Sequence, residues 1–159
     1  MLILSSRYRS SSVRGIVACS LALVFLSGCS SRIALPQQIE DRNYDNMYLR
    51  GVFNWWEADA AYKFTKSGPS QYSVKVQLIA DGQPYDFKLA DPDWTPGLTC
   101  GTDETSDVIE VSDRFRLDCG AEEIGNLRFT PSETGDFLFI LDTSSASRPV
   151  LSVSRVSQD

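Results

Sequence analysis

The run Tyr48-Leu49-Arg50-Gly51-Val52-Phe53-Asn54-Trp55-Trp56 decides how the chain reads. Tyr48, Val52 and Phe53 make a β-prone stretch. Gly51 inside it permits a bulge or a close backbone approach. Phe53, Asn54, Trp55 and Trp56 then place three aromatic rings and an amide within four residues. Successive side chains on a strand point to opposite faces. A strand reading therefore sends one indole into a core and leaves the other to solvent, a neighbouring loop or a ligand. One ring is expected to anchor a β-sandwich and the other to offer a flat stacking surface to a sugar. The plainer alternative is that both rings are packing residues.

Outward from this stretch the chain reads as strands and turns. The first strand spans 48–53, and Tyr62 and Phe64 alternate with Lys63 and Thr65 over 60–65. Residues 66–69, Lys-Ser-Gly-Pro, form a turn signal. The cleanest alternation covers 71–80, with Tyr72, Val74, Val76 and Leu78 on one face. Asp81-Gly82 signals a hairpin, followed by Tyr85, Phe87 and Leu89 alternating with Asp86 and Lys88. Further strands are expected at 108–111, 114–119, 126–130, 137–141 and 151–154. The 137–141 run is apolar on both faces, as a central strand would be. No window of helical length keeps a 3.6-residue apolar period after residue 45. Many short strands with turns between them imply an all-β, antiparallel β-sandwich. Residues 92–121 are the irregular part.

The N-terminus is of another kind. Arg7, Arg9 and Arg14 precede an apolar run over 16–26, which is too short to span a bilayer with comfort. Leu26-Ser27-Gly28-Cys29 follows, and the whole resembles a bacterial lipoprotein signal. The resemblance implies removal of residues 1–28 and acylation of Cys29. Ser30 stands where an aspartate would signal inner-membrane retention, so a lipid-anchored outer-membrane protein is expected. Residues 29–45 are polar, aperiodic and proline-containing and read as a flexible tether. The folded domain is expected over 46–159, about 115 residues, enough for one core.

Loss of residues 1–28 takes three of the 15 basic residues and none of the 21 acidic ones, leaving a formal charge of −9. So acidic a domain repels a phosphate backbone, and nucleic-acid partners are excluded. Cys19 lies within the signal and Cys29 is the lipid site. Cys100 and Cys119 remain as an even pair in an exported domain and are expected to form a disulfide.

The chain has no histidine, so the usual general base near neutral pH is missing. No nucleophile elbow and no phosphate-cradling glycine loop occurs, and neither a catalytic role nor a cofactor is expected. Asp91, Asp93, Asp103, Glu104 and Asp107 are oxygen ligands of the kind Ca²⁺ takes, but their spacing matches no EF-hand loop. Solvated loop acids are the expected reading, and no metal is assigned. The aromatic residues carry more. An indole covers the C–H face of a sugar ring while amide, amine or carboxylate groups bond its hydroxyls. Trp55 or Trp56, then Trp94, are the candidate platforms, with Lys88, Asn126 and the acids of Asp91-Pro92-Asp93 nearby.

Residues 48–56, Tyr85-Asp86-Phe87-Lys88-Leu89-Ala90-Asp91 with Trp94, and Gly125-Asn126-Leu127 together resemble the family 48 carbohydrate-binding modules. The N-terminal modules of bacterial pullulanases look nearest, and the glycogen-binding domain of AMP-activated kinase β subunits more distant. The C-terminal 135–153 stretch fits as well, so the likeness covers about 46–155. It implies an immunoglobulin-like sandwich that binds α-1,4-linked glucans. It implies stacking by Trp56 and Trp94 and hydrogen bonding by Asn126. Glycogen binders carry a lysine where this chain has Asp86; Lys88 lies on the same face and is expected to substitute. The expected function is a non-catalytic outer-membrane lipoprotein that binds starch, glycogen or maltodextrin. The alternative is a structural or interaction lipoprotein that docks a membrane or secretion partner, such as another envelope protein, through the same fold without glycan binding.

Overall fold

The computed structural model describes residues 42–157 apart from 146. The expected signal (1–28), the expected lipidation site Cys29 and most of the expected 29–45 tether lie outside the described residues. The last part of that stretch is not free chain: Tyr44 is buried in the core, and the Asp45 carboxylate accepts a 2.8 Å hydrogen bond from the Tyr72 hydroxyl.

Among the described residues the strands are β1 (Tyr48–Gly51), β2 (Thr65–Gly68), β3 (Gln71–Leu78), β4 (Tyr85–Ala90), β5 (Ser106–Val108), β6 (Phe115–Arg116), β7 (Asn126–Phe129), β8 (Gly135–Asp142) and β9 (Val150–Arg155). They form two sheets, ordered β1-β4-β7-β5 and β2-β3-β8-β9-β6. Every neighbouring pair is antiparallel except β5 on β7. The chain is thus an immunoglobulin-like antiparallel β-sandwich.

Period-2 alternation explains the layers. In β3 the buried positions are Tyr72, Val74, Val76 and Leu78; in β8 they are Gly135, Phe137, Phe139 and Leu141. The two strands pair along their full length, from Gln71 opposite Asp142 to Leu78 opposite Gly135. β8 lies between β3 and β9, the central place its apolar run implies. The sheets meet through aromatic edges. Phe87 of the first sheet and Phe139 of the second have centroids 5.6 Å apart at 82°, and Phe129 lies 5.2 Å from Phe137 at 71°. Such edge-to-face pairs add about 0.5–1.5 kcal/mol each beyond the area they bury.

Several local expectations change, and the strands expected at 108–111 and 114–119 are found as Ser106–Val108 and Phe115–Arg116. Asp81-Gly82 is a turn, with Gly82 at φ 80°, but no hairpin: β3 and β4 belong to different sheets. Both strands bury one face in the same core, and crossing between layers satisfies both. The Tyr85 hydroxyl ties the crossing, accepting from the Ile79 N–H at 3.3 Å and donating to its carbonyl at 3.1 Å. Residues Ala60–Tyr62 form a 3-10 turn, not the start of a strand, because the Asp59 carboxylate caps the Ala61 N–H at 2.9 Å. The strand runs over Thr65–Gly68 instead, and the turn moves to Pro69 and Ser70.

The expected disulfide is present, joining Cys100 to Cys119 with an S–S distance of 2.02 Å. Closing a loop of this size stabilises by roughly 3 kcal/mol on the chain-entropy account. Because Phe139 touches both Phe87 and Phe129 across the layers, Phe139→Ala should cost about 3–5 kcal/mol. Urea denaturation followed by circular dichroism checks this, and a loss near 1 kcal/mol would contradict the central role given to that ring.

Candidate functional site

Beyond β1 the backbone makes a 3-10 turn over Val52–Asn54. The buried amide of Asn54 closes it. Its Oδ1 accepts from the Gly51 N–H at 2.9 Å, and its Nδ2 donates to the carbonyls of Leu49 at 2.9 Å and Glu57 at 3.2 Å. Gly51 is required by space: a Cβ there would lie 2.6 Å from the Asp86 carbonyl oxygen and 2.8 Å from the Phe87 Cβ. The Trp56 N–H returns to the Gly51 carbonyl at 2.9 Å.

This turn overturns the strand reading of the paired tryptophans. Trp55 and Trp56 sit in left-handed backbone, at φ 55° and 63°, so they do not alternate across a sheet. Neither ring anchors the core; Trp55 is 87% exposed and Trp56 half-buried. Trp94 is also left-handed, at φ 56°. Among the described residues, three of the four non-glycine positions with positive φ are the three tryptophans of the chain. Each costs about 1–2 kcal/mol in backbone strain. Strain of this kind persists where the surroundings over-determine it, and it clusters at functional sites.

Trp94 rides on a loop that leaves the end of β4. Leu89 and Cys100 exchange backbone hydrogen bonds of 3.0 and 2.7 Å, which closes the loop at its base. The Cys100–Cys119 disulfide fixes that base to the following segment. Within the loop, Asp91 is buried, not solvated. Its two carboxylate oxygens accept from the Thr95 N–H at 2.8 Å and the Thr95 hydroxyl at 2.6 Å.

Arg50 joins the two loops. It is 5% exposed. Its Nε donates to the Trp56 carbonyl at 2.7 Å, and its Nη1 to the carbonyls of Asp91 at 2.7 Å and Pro92 at 3.1 Å. The Arg50 Cζ lies 3.8 Å from the centroid of the Trp94 ring, a cation–π stack. Burial pulls the Arg50 pKa below its ordinary value, while Glu57, Asp91 and Asp93 pull it back up. The result is that Trp56 and Trp94 stand together. Their ring centroids are 6.4 Å apart, their planes tilt by 41°, and Trp94 remains 37% exposed.

The polar candidates lie on the same sheet. Lys88 of β4 is directly opposite Arg50 of β1, so both side chains leave the outer face, away from the buried Leu49, Phe87 and Leu89. Asn126 of β7 is one residue beyond the Phe87–Leu127 pair, which continues the row Arg50, Lys88, Asn126. Lys88 is half-buried and forms no ion pair among the described residues, and desolvation lowers its pKa. Asp86 is engaged otherwise: its carboxylate takes both forks of Arg128, at 2.7 and 3.0 Å. Sequence reasoning missed Arg50, which reads as an ordinary strand residue, and it offered Trp55 only as the alternative to Trp56, with one ring for the core and the other for the surface. The left-handed turn that exposes Trp55 was signalled only by Gly51 and Asn54.

No protein-family model matches the chain, and no curated protein does. Among solved structures it is similar to one described as the ligand-induced structure of AmyP-SBD, a starch-binding domain, at 15% identity and a TM-score of 0.50. The match covers 92% of this chain and 97% of that one. At that identity the likeness is one of fold: the sandwich architecture is shared with a domain whose whole length corresponds to this chain.

Removing the buried guanidinium orphans the carbonyls of Trp56 and Pro92, while that of Asp91 keeps the Trp94 N–H at 3.5 Å; each orphan costs about 1–3 kcal/mol if it stays unsolvated. Arg50→Ala should therefore destabilise the domain and, with the sandwich still folded, weaken the near-ultraviolet circular dichroism of the tryptophan pair. Arg50→Lys keeps the charge but not the fork, and should fall between. An unchanged spectrum in both variants would show that Arg50 does not hold the rings together.

Proposed function

We propose that this domain is a non-catalytic module that binds α-glucans of the starch, glycogen or maltodextrin type. The observation that carries the reading is the open Trp56–Trp94 pair, 6.4 Å apart and tilted by 41°. An α-1,4-linked chain curves, and two tilted planes follow a curved ligand better than one flat wall. On this reading Trp56 and Trp94 stack on successive sugar rings, while Lys88 and Asn126 hydrogen-bond the hydroxyl edges. The fold likeness to a starch-binding domain and the sequence resemblance to family 48 modules both support it. One face of Trp94 is covered by Arg50, so the ligand meets the other face. A shallow surface of this kind gives modest affinity, in the micromolar to millimolar range, or roughly 4–8 kcal/mol.

The signal-like residues 1–28 and Cys29 support placing the module on a lipid anchor at the outer membrane. Such an anchor would hold glucan near the membrane for a pore or a hydrolase to take up.

Affinity electrophoresis in glycogen-containing gels tests the binding. The protein should be retarded, and the Trp56→Ala/Trp94→Ala double variant should lose tenfold or more in affinity, about 1.4 kcal/mol. Equal retardation of both would defeat the site assignment. No retardation, with a stoichiometric envelope protein co-purifying, would favour a docking role. Palmitate labelling that vanishes in Cys29→Ala, together with outer-membrane fractionation, is expected for the anchor; recovery in the inner membrane would contradict it.

A further inference from the structure

Trp55 is the tryptophan that the pairing of Trp56 with Trp94 leaves out. It is 87% exposed, against 37% for Trp94, one of whose faces Arg50 covers. At 87% neither face of the indole is covered. Among the described residues no aromatic ring stacks on it and no cation lies over it. Val52, from the same turn, is also exposed.

The fold does not ask for this ring. Its backbone is left-handed, at φ 55°, a position that glycine or asparagine fills with less strain. The turn is closed by the Asn54 amide and the Trp56 N–H, not by the Trp55 side chain. A lone exposed apolar residue is ordinary. An exposed indole held in strained backbone, one residue from an open ring pair, is a different matter, because strain of this kind gathers where a surface has a task.

Two observations choose the occupant. The first is continuity with the tryptophan pair. Successive Cα atoms lie about 3.8 Å apart, so a ligand seated on Trp56 has Trp55 within reach. The second is charge. Glu57, Asp91 and Asp93 all stand close enough to Arg50 to raise its pKa, and the chain carries 21 acidic residues against 15 basic ones. Such a surface repels an anionic bilayer and a second copy of itself, but not a neutral glucan. A ring lying flat on a protein meets one sugar surface, whereas a ring with both faces open takes one on each. A single maltodextrin on Trp56 and Trp94 offers Trp55 at most one surface; chains packed side by side offer two. We infer that Trp55 is a wedge between neighbouring chains of a packed α-glucan, which makes the module selective for granular starch over single maltodextrins. The inference rests on the glucan reading of the site and goes past it, since the Trp56–Trp94 pair alone gives no reason to favour packed chains.

Two ligands test it on the purified full chain: maltoheptaose by titration calorimetry, and granular starch by depletion of protein from the supernatant. Trp55→Ala should lose tenfold or more in affinity for granules and less than threefold for maltoheptaose. Trp56→Ala/Trp94→Ala should lose tenfold or more for both. Trp55→Asn relieves the backbone strain and keeps the turn. It should match Trp55→Ala on both ligands while its Tm stays level or rises. Granule binding lost in Trp55→Ala but kept in Trp55→Asn would trace the loss to the turn and overturn the wedge. Equal losses on both ligands, or maltoheptaose binding with no adsorption to granules, overturn the inference and leave the glucan reading standing. An unaltered chain that binds neither ligand overturns the reading and the inference together. Unchanged adsorption of Trp55→Ala also overturns the wedge. A Trp55-dependent shift in sedimentation velocity would then assign the ring to a second copy of the chain, and a Trp55-dependent emission shift on phosphatidylglycerol vesicles would assign it to a bilayer.

Discussion

The guanidinium of Arg50 is a cation taken almost wholly out of water, and the organisation of the tryptophan surface depends on how that charge is satisfied. Burying an ion costs several kcal/mol unless its hydrogen bonds are replaced. Here three backbone carbonyls, from Trp56, Asp91 and Pro92, and the face of Trp94 replace them. The acceptors come from two loops separated by more than thirty residues of chain. Neither loop can move away without leaving charge or carbonyls unpaired. A lysine could not serve equally, because the planar fork reaches separate carbonyls from one fixed side chain.

That constraint explains why three strained tryptophans are tolerated. Left-handed backbone is disfavoured for a bulky residue, so each needs neighbours that leave it no alternative. For Trp55 and Trp56 the neighbours are the Asn54 amide, which spans both ends of the turn, and Gly51, whose missing Cβ lets the turn sit against Asp86 and Phe87. For Trp94 they are the Asp91 carboxylate bonded to Thr95 and the Leu89–Cys100 closure. The disulfide adds a covalent tie behind the second loop. The aromatic core between the sheets then carries most of the stability, and the irregular segments are free to serve the surface.

Much of the sandwich was legible because period-2 alternation is a direct consequence of strand geometry. Tyr72, Val74, Val76 and Leu78 could face only one way, and they do. What alternation cannot reveal is which strand lies beside which. Asp81-Gly82 carries real turn chemistry, yet the choice between a hairpin and a crossing is made by the shared core. The tryptophan pair failed for a related reason. Trp55-Trp56 was read with a strand's period, but Asn54 and Gly51 end the strand before it reaches them. Trp94, Lys88 and Asn126 were named from residue type and resemblance. Arg50 was overlooked because a buried arginine is recognisable only once its acceptors from distant loops are brought to it.

The departure at Asp86 has a structural answer that bears on the proposed site. On the proposed reading, a carboxylate facing the glucan would add negative charge where the sequence resemblance implies a cation. Here Arg128, on the neighbouring strand, holds that carboxylate in a two-pronged ion pair, so it is neutralised in place. Lys88, two residues along and on the same face, has no such partner among the described residues and stands in the row with Arg50. Partial desolvation already weakens the hold of water on its ammonium. A group that has lost some of its hydration, and has no ion-pair partner among the described residues, forfeits less on donating to a hydroxyl. Under the proposed reading the cation of the site has therefore moved one row along the sheet, from the position Asp86 occupies to Lys88.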